Sequence, residues 1–339
     1  MKKIKWGCIG CGGIADRRTL PGMMLSEIAE LVAVFDTNPE ATARCKEKYG
    51  AKYGCATPEE LLAIDEIECV YIASPVFCHL EQVKMAADAG KAILLEKPMG
   101  LTTEDAIAMK EYCEKKGVLL GVGFLMRFAS FHQKMREYVQ AGKLGQIVSM
   151  RGRLDCWYPK IEGAWRQQLA TSGGGSMMDM AIHCVDLLQY ITGLKGVEVT
   201  GFIGNQVHEY ESEDGGSFTV LMDNGAFMSV DANFNAPYSR CEVEIIGTDG
   251  GLFAEGTVGQ VEGGNLRFIT ADKETCEATV ENIEVELGNM YTKEIDAFSV
   301  AYAEGSKVAP VTADDAILNQ KIIEVGYKAA KERRALKVN

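Results

Sequence analysis

The residues best equipped for chemistry in this 339-residue chain follow three glycines, in Gly173-Gly174-Gly175-Ser176-Met177-Met178-Asp179-Met180-Ala181-Ile182-His183-Cys184-Val185-Asp186. The glycines end an irregular stretch, and a helix is predicted from Ser176 to Thr192. On it Asp179 and His183 stand four apart and Asp186 three further on, so all three share one face. A solvated polar face with a capping acid in its first turn has the same spacing. An imidazole beside carboxylates is also the equipment for proton transfer, because its ordinary pKa of about 6.5 suits a base at neutral pH. The second candidate is Lys97 in Glu96-Lys97-Pro98, which ends an apolar run. A strand-end lysine is often merely solvated, but Pro98 biases Lys97 toward an extended backbone and so helps to aim its ammonium.

A third constellation gives these residues a context. Gly10-Cys11-Gly12-Gly13-Ile14-Ala15 follows the apolar run Ile4–Ile9 and opens a helix, in the pattern G-x-G-x-x-A. Gly10 permits a tight turn, Gly12 lets backbone approach a pyrophosphate, and Ala15 is small enough for close helix–strand packing. The N–H groups of Gly13 and Ile14 belong to the helix N-terminus that would face the anion. Asp36 ends the next strand, where its carboxylate would accept from both ribose hydroxyls; no arginine follows to grip a 2′-phosphate. This pattern predicts NAD in preference to NADP. The competing reading makes Asp36 a turn residue before Asn38-Pro39 and the glycine loop that of a methyltransferase. Ser74, Pro75 and His79 follow the third long strand, and Glu96 and Lys97 the fourth. Ligands of open α/β sheets bind beyond the carboxyl ends of strands, so these five are cofactor-binding candidates too.

The elements that must carry these groups have two textures. Up to residue 122, short apolar runs (Ile4–Ile9, Leu31–Phe35, Cys69–Ala73, Ala92–Leu95, Val118–Val122) alternate with amphipathic stretches such as His79–Ala89 and Glu104–Lys115. Strands buried on both faces read as continuous apolar runs and need helical crossovers, which predicts a doubly wound parallel sheet, a Rossmann domain, over residues 1–122. Residues 123–339 predict an α+β domain with a large, mostly antiparallel open sheet. Its elements are a helix over 130–140, a strand over 146–156, the helix from Ser176, then strands with turn punctuation from Val197 to Glu286. Asp223-Asn224-Gly225 signals a hairpin in which Asn224 and Gly225 both take positive φ. Helices over Met290–Ala303 and Asp314–Arg334 close the chain, the last expected to pack back on the first domain.

Composition removes other classes. With 35 Lys and Arg against 48 Asp and Glu, the formal charge is -13, which does not suit a nucleic-acid surface. Lys328, Lys331, Arg333 and Arg334 read as a solvated helix face. No apolar run approaches the roughly 18 residues of a membrane-spanning helix, and the N-terminus reads as a first strand rather than a signal peptide. Eleven cysteines without a paired framework read as reduced thiols, and Cys8 and Cys11 as packing residues rather than a redox pair. A cytoplasmic protein is expected. The four histidines have no metal-ligand spacing.

Taken together, the glycine loop, Asp36, Pro75 with His79, Glu96-Lys97-Pro98, Gly123–Phe128 with Arg127, Trp165-Arg166 and the Gly-Gly-Gly…Asp179…His183…Asp186 helix resemble the Gfo/Idh/MocA family of oxidoreductases over essentially the whole chain. The resemblance implies a Rossmann domain joined to an open mixed sheet, with sugars, inositols and related polyols as substrates. It implies Lys97, Asp179 and His183 as the catalytic set. His183 would accept the hydroxyl proton as hydride leaves for the nicotinamide, Asp179 would hold the substrate or orient the imidazole, and Lys97 would donate to the reacting oxygen. Arg127, Tyr158, Trp165 and Arg166 are candidates for substrate contact, each weighed against an ordinary structural part. Residues 157–172 leave the substrate itself open. Two other activities fit the same motifs: a redox-neutral sugar-modifying enzyme that retains NAD, and a non-catalytic NAD-binding sensor. A homo-oligomer, dimer or tetramer, is expected through the sheet face of the second domain.

Overall fold

The computed structural model describes residues 2–338. The chain divides into two compact units: Met1–Leu125 with Asn289–Ile317, and Met126–Gly288 with Leu318–Asn339.

The first unit is built on a six-stranded sheet: β1 (Ile4–Ile9), β2 (Ala29–Phe35), β3 (Tyr53–Gly54), β4 (Cys69–Ile72), β5 (Ala92–Glu96) and β6 (Leu120–Gly123). Their order is β3-β2-β1-β4-β5-β6 and every pair is parallel. The strand order reverses between β2 and β4, on either side of β1, and that switch point is where an open sheet leaves a crevice for a ligand. The connecting helices α1 (Pro39–Tyr49), α2 (His79–Asp88) and α3 (Thr103–Lys116) start and stop where local chemistry dictates. Asn38 caps α1 by accepting from Glu40 N, Thr102 caps α3 by accepting from Asp105 N, and Gly50 and Gly117 end them at positive φ. The continuous apolar strands are buried on both faces, with Trp6, Ile9, Tyr71 and Ile72 wholly inaccessible. The helix α6 (Met290–Ala303), which the sequence places at the far end of the chain, belongs to this core. Phe298 lies 5.5 Å from Trp6, ring to ring, and Trp6 Nε1 donates to Ser299 Oγ at 3.1 Å.

The second unit holds a nine-stranded sheet of β7 (Ile147–Asp155), β8 (Gly196–Gly204), β9 (Gly215–Met222), β10 (Phe227–Asn233), β11 (Val243–Gly247), β12 (Gly251–Glu255), β13 (Asn265–Ala271), β14 (Ala278–Asn282) and β15 (Leu336–Lys337). The order is β14-β13-β12-β11-β7-β10-β9-β8-β15, antiparallel throughout except that β10 runs parallel to β7. One face is covered by α4 (Ser130–Gln140) and α5, the latter a π turn, Met177–Ala181, continued by the α-helix Ile182–Thr192. Helix α7 (Ala313–Glu332) precedes β15. Alternation assigns the faces: Met150, Gly152 and Leu154 of β7 are buried, whereas Ser149, Arg151 and Arg153 are only half-buried. A Cβ at Gly152 would stand 2.8 Å from that of Cys184, which shows how closely α5 lies on β7.

One local expectation is corrected. Four residues separate β9 from β10, and among them only Gly225 takes positive φ, at 88°. Met222 N donates to Ala226 O and Gly225 N to Met222 O, both at 2.9 Å, while Asn224 Oδ1 accepts from Ala226 N at 2.9 Å. The asparagine side chain therefore braces a turn with a glycine bulge instead of entering the left-handed region itself.

Candidate active site

In the first unit the glycine loop has the shape that its sequence requires. Gly10 adopts φ 84°, ψ 52°, and a Cβ there would lie 2.5 Å from Ser74 N, so both the conformation and the space demand glycine. Gly12 N donates to Asp36 Oδ2 at 2.8 Å, and a Cβ at Gly12 would press on that oxygen at 2.9 Å. Asp36 Oδ1 accepts from Asn38 N at 2.9 Å, so the carboxylate is held at the tip of β2 by two backbone donors. Beyond Gly12 the backbone opens: Gly13 is exposed, with no atom within 4 Å of where its Cβ would be, and Ile14 is half-buried. Ala15 is fully buried against the sheet. A narrow loop, a fixed ribose-type carboxylate and open space over Gly13 fit a dinucleotide. Cys8 and Cys11 are buried in the same region, and burial pushes both thiols well above their ordinary range, as befits packing residues.

The segments after β4 and β5 are tied to one another. His79 is buried, with Nδ1 3.1 Å from Met99 O and Nε2 3.0 Å from Ser74 O. Its ring therefore braces the two loops, and burial holds its pKa below the usual histidine range. Ser74 Oγ donates to Gln82 Oε1, and Pro75 is half-buried beside it. Glu96 is buried as well: Tyr71 Oη donates to its Oε1 and Lys97 N to its Oε2, the latter at 3.2 Å. Thr19 Oγ1 lies 2.9 Å from the same Tyr71 hydroxyl, whose pKa burial and Glu96 push far up. Glu96 thus fixes the backbone from which the half-buried Lys97 projects, across a cis Lys97–Pro98 peptide.

In the second unit α5 gathers the other candidates. Asp179 sits in its π turn, the wide geometry often found at functional positions. Its Oδ2 is 3.6 Å from Arg166 Nε, and both side chains are partly exposed. Arg166 lies over the Trp165 ring at 4.3 Å. Tyr158 is near enough to both charges to feel them: burial raises its pKa, Arg166 opposes the rise and Asp179 adds to it. Asp179, Arg166, Trp165 and Tyr158 are therefore brought together, and His183 lies one turn further along the helix, buried.

Arg127 and Asp186 are directed elsewhere. Arg127 Nε is 2.9 Å from Asp186 Oδ2 and Nη2 is 2.5 Å from Oδ1, with 8% and 1% of the two side chains exposed. Asn319 Nδ2 donates to Asp186 Oδ1 at 2.7 Å and Gln189 Nε2 donates to Asn319 Oδ1 at 2.6 Å. The buried pairing is compatible with a structural part for Arg127. Glu213 and Tyr327, at the start of α5, were not singled out from the sequence. The signal was there in the glycines: a Cβ at Gly174 would strike Tyr327 Oη and one at Gly175 would strike the Glu213 backbone.

Residues 4–124 match the profile of an oxidoreductase family with an NAD-binding Rossmann fold, and residues 132–253 match that of the GFO/IDH/MocA C-terminal domain. The chain is similar to 1,5-anhydro-D-fructose reductase of Ensifer adhaerens, at 26% identity over 98% of each. It is similar to scyllo-inositol 2-dehydrogenase (NAD(+)) of Bacillus subtilis, at 26% identity over 90% of this chain and 87% of that one. A D-xylose 1-dehydrogenase (NADP(+)) is also among its relatives. Of solved structures, the aldose-aldose oxidoreductase of Caulobacter crescentus, complexed with glycerol, matches with a TM-score of 0.89 at 25% identity, over 99% of this chain and 100% of the other.

Proposed function

The chain belongs to the Gfo/Idh/MocA family of oxidoreductases, and from that premise we propose that it moves hydride between NAD and a secondary hydroxyl, or its ketone, on a sugar, inositol or related polyol. The observation that carries this reading is the first turn of α5. It holds an acid paired with Arg166 beside a tyrosine, one turn before a histidine, in a chain whose other unit carries a glycine loop closed on Asp36.

Bound NAD supplies the hydride acceptor. The N–H groups at Gly13 and Ile14 would hold the pyrophosphate, Gly12 would let the backbone approach it, and Gly10 allows the turn that presents them. Asp36 accepts from the adenosine ribose hydroxyls and meets a 2′-phosphate with like charge, which favours NAD over NADP. Ser74, Pro75, His79 and Glu96 shape the wall behind the nicotinamide. His183 takes the proton of the reacting hydroxyl. Lys97 donates to the same oxygen and stabilises the negative charge that develops on it. Asp179, Arg166, Tyr158 and Trp165 bind the substrate's remaining hydroxyls, for which a carboxylate, a guanidinium and a phenol are apt partners.

The test is turnover of His183→Ala and Lys97→Ala with the most active member of a panel of aldoses and inositols, read by NADH absorbance. His183→Ala should lower turnover by about 10²–10⁴-fold, and Lys97→Ala at least as far. Both should remain folded and be stabilised by NADH. Near-normal turnover removes that residue from the mechanism.

The active form is proposed to be a dimer or tetramer joined through the open face of the nine-stranded sheet. That face carries Phe227 and Ile246, 57% and 37% exposed, among the half-buried Arg151 and Asp231. Light scattering that returns only monomer mass at micromolar concentration overturns this. All eleven cysteines are free, which supports a reducing, cytoplasmic setting.

A further inference from the structure

Among the helices of the second unit, α5 begins in an unusual way. Its leading N–H groups, like those of any helix, have no acceptors within the helix itself. Ser176 stands where a local cap would be, yet its hydroxyl makes no capping bond and is buried. The acceptors come from far away in sequence. Glu213 Oε2 accepts from Gly175 N and Oε1 from Met177 N, both at 2.9 Å, and Glu213 O accepts from Ser176 N at 3.1 Å. Tyr327 Oη accepts from Met178 N at 3.1 Å and donates to Glu213 Oε1 at 2.7 Å. Glu213 precedes β9, is 6% exposed and lies thirty-eight positions from Gly175; Tyr327 is on α7.

A serine cap satisfies donors but leaves a helix free to shift with its own end. A carboxylate that reaches in from β9, itself gripped by a residue of α7, ties the first turn to two other elements. Burial raises the pKa of Glu213, while the hydroxyl of Tyr327 and the backbone donors favour its charged form. An anion at this end also suits the helix dipole. Gly174 and Gly175 make the approach possible, because any side chain there would collide with the two anchors. Asp179 follows two residues after the last N–H that Glu213 holds, and His183 one turn later.

We infer that Glu213, steadied by Tyr327, is a positioning residue for Asp179 and His183: it fixes the rotation and axial setting of α5 on which the placement of both side chains depends. The inference rests on the reading of His183 as the base. Its scale follows from the sensitivity of hydride and proton transfer to placement, where an error near 1 Å costs about 10²-fold.

The experiment compares Glu213→Gln, Tyr327→Phe and His183→Ala with the parent, using NAD and the most active aldose or inositol of the panel. Glu213→Gln keeps the size of the side chain but turns amide protons toward donors. Its kcat per folded molecule should fall about 10- to 100-fold, with KM for NAD and the NADH-induced thermal shift unchanged. The primary deuterium isotope effect on kcat should rise as hydride transfer becomes limiting. Hydrogen exchange should quicken at the amides of residues 175–179 and not across the rest of the unit. Tyr327→Phe should move every readout the same way by a smaller factor, and it carries the test if Glu213→Gln does not fold. Parent-like kcat and isotope effect in both variants, with loss confined to melting temperature, make the pair a structural cap only and overturn the inference. Normal turnover in His183→Ala overturns the base reading and this inference with it. An inactive His183→Ala beside a fully active Glu213→Gln overturns this inference alone.

Discussion

Replacing Arg127 by methionine probes a deeply buried ion pair of the second unit. The guanidinium meets Asp186 through Nε at 2.9 Å and Nη2 at 2.5 Å, with almost none of either side chain in contact with solvent. Removing one partner of such a pair costs about 3–5 kcal/mol, because the buried carboxylate loses its counter-charge. A methionine at 127 also gives up the stacking on Tyr190, at 5.0 Å, worth about 0.5–2 kcal/mol. Arg127→Met should therefore destabilise by about 4 kcal/mol, and Asp186→Asn, which neutralises the other partner, by about 3. The double change Arg127→Met with Asp186→Leu removes both charges at once. Well-packed apolar replacements of buried pairs are often neutral, so the double variant should recover more than half of the summed loss. The assay is urea unfolding followed by circular dichroism and indole fluorescence, read as a shift of midpoint at constant slope. Single variants that each lose less than about 1 kcal/mol, the range of a surface pair, would refute the reasoning. So would a double variant as unstable as the sum of the two.

Two further outcomes follow from named groups. His132 is buried with Nδ1 2.8 Å from Met126 O, and burial brings its pKa down to about 4. The unfolded chain takes up the proton near 6.5 while the folded one does not. The stabilisation is thus complete above about 6.5 and is lost as pH falls toward 4, by about 3 kcal/mol in all. His132→Gln should flatten the fall of urea midpoint between pH 7 and 4, and an unchanged slope would exclude His132 as its source. Asp36→Ala should shift the ratio of kcat/KM for NAD over NADP by about tenfold or more toward NADP, since about 1.4 kcal/mol of repulsion is removed at the cost of a ribose contact. A parent enzyme that already prefers NADP would remove that reading.

What was legible in the sequence was what local chemistry determines. Five of the six strands of the first sheet followed from apolar runs, whereas the two-residue β3 and the helix α1 carried no such signal. Gly12 and Asp36 were each legible from their places after β1 and β2, but the bond from Gly12 N to Asp36 Oδ2 was not. Boundaries of strands moved by a residue or two, as with β2, which begins at Ala29 rather than Leu31. Illegible were bonds between residues far apart in the chain. Nothing near Asp186 in sequence announces Arg127, 59 positions away, or Asn319, 133 away. The hairpin at Asp223 forms as expected, but its turn differs in detail: Asn-Gly permits two positive φ angles, yet it also permits an asparagine brace with one, and the bulge prevailed.

These long-range bonds bear on how α5 can be both a core helix and a carrier of reactive groups. From Ile182 to Ile191 almost every residue is buried, and most are apolar. Apolar contacts are non-directional, so a helix held by them alone can rotate or slide at small cost. Buried polar contacts are directional, and on α5 they occur at both ends. Glu213 and Tyr327 hold the first turn; Arg127 and Asn319 hold Asp186, and Gly196 N donates to Gln189 Oε1 at 2.9 Å. Asp179 and His183 lie between the two sets. Stability and placement should therefore come apart in the double variant Arg127→Met with Asp186→Leu. It keeps the apolar volume and regains most of its unfolding free energy, but it loses the directional anchor behind His183. Turnover per folded molecule should stay about tenfold or more below the parent, with KM for NAD unchanged. A double variant that recovers turnover together with stability would mean that packing alone sets the phase of the helix.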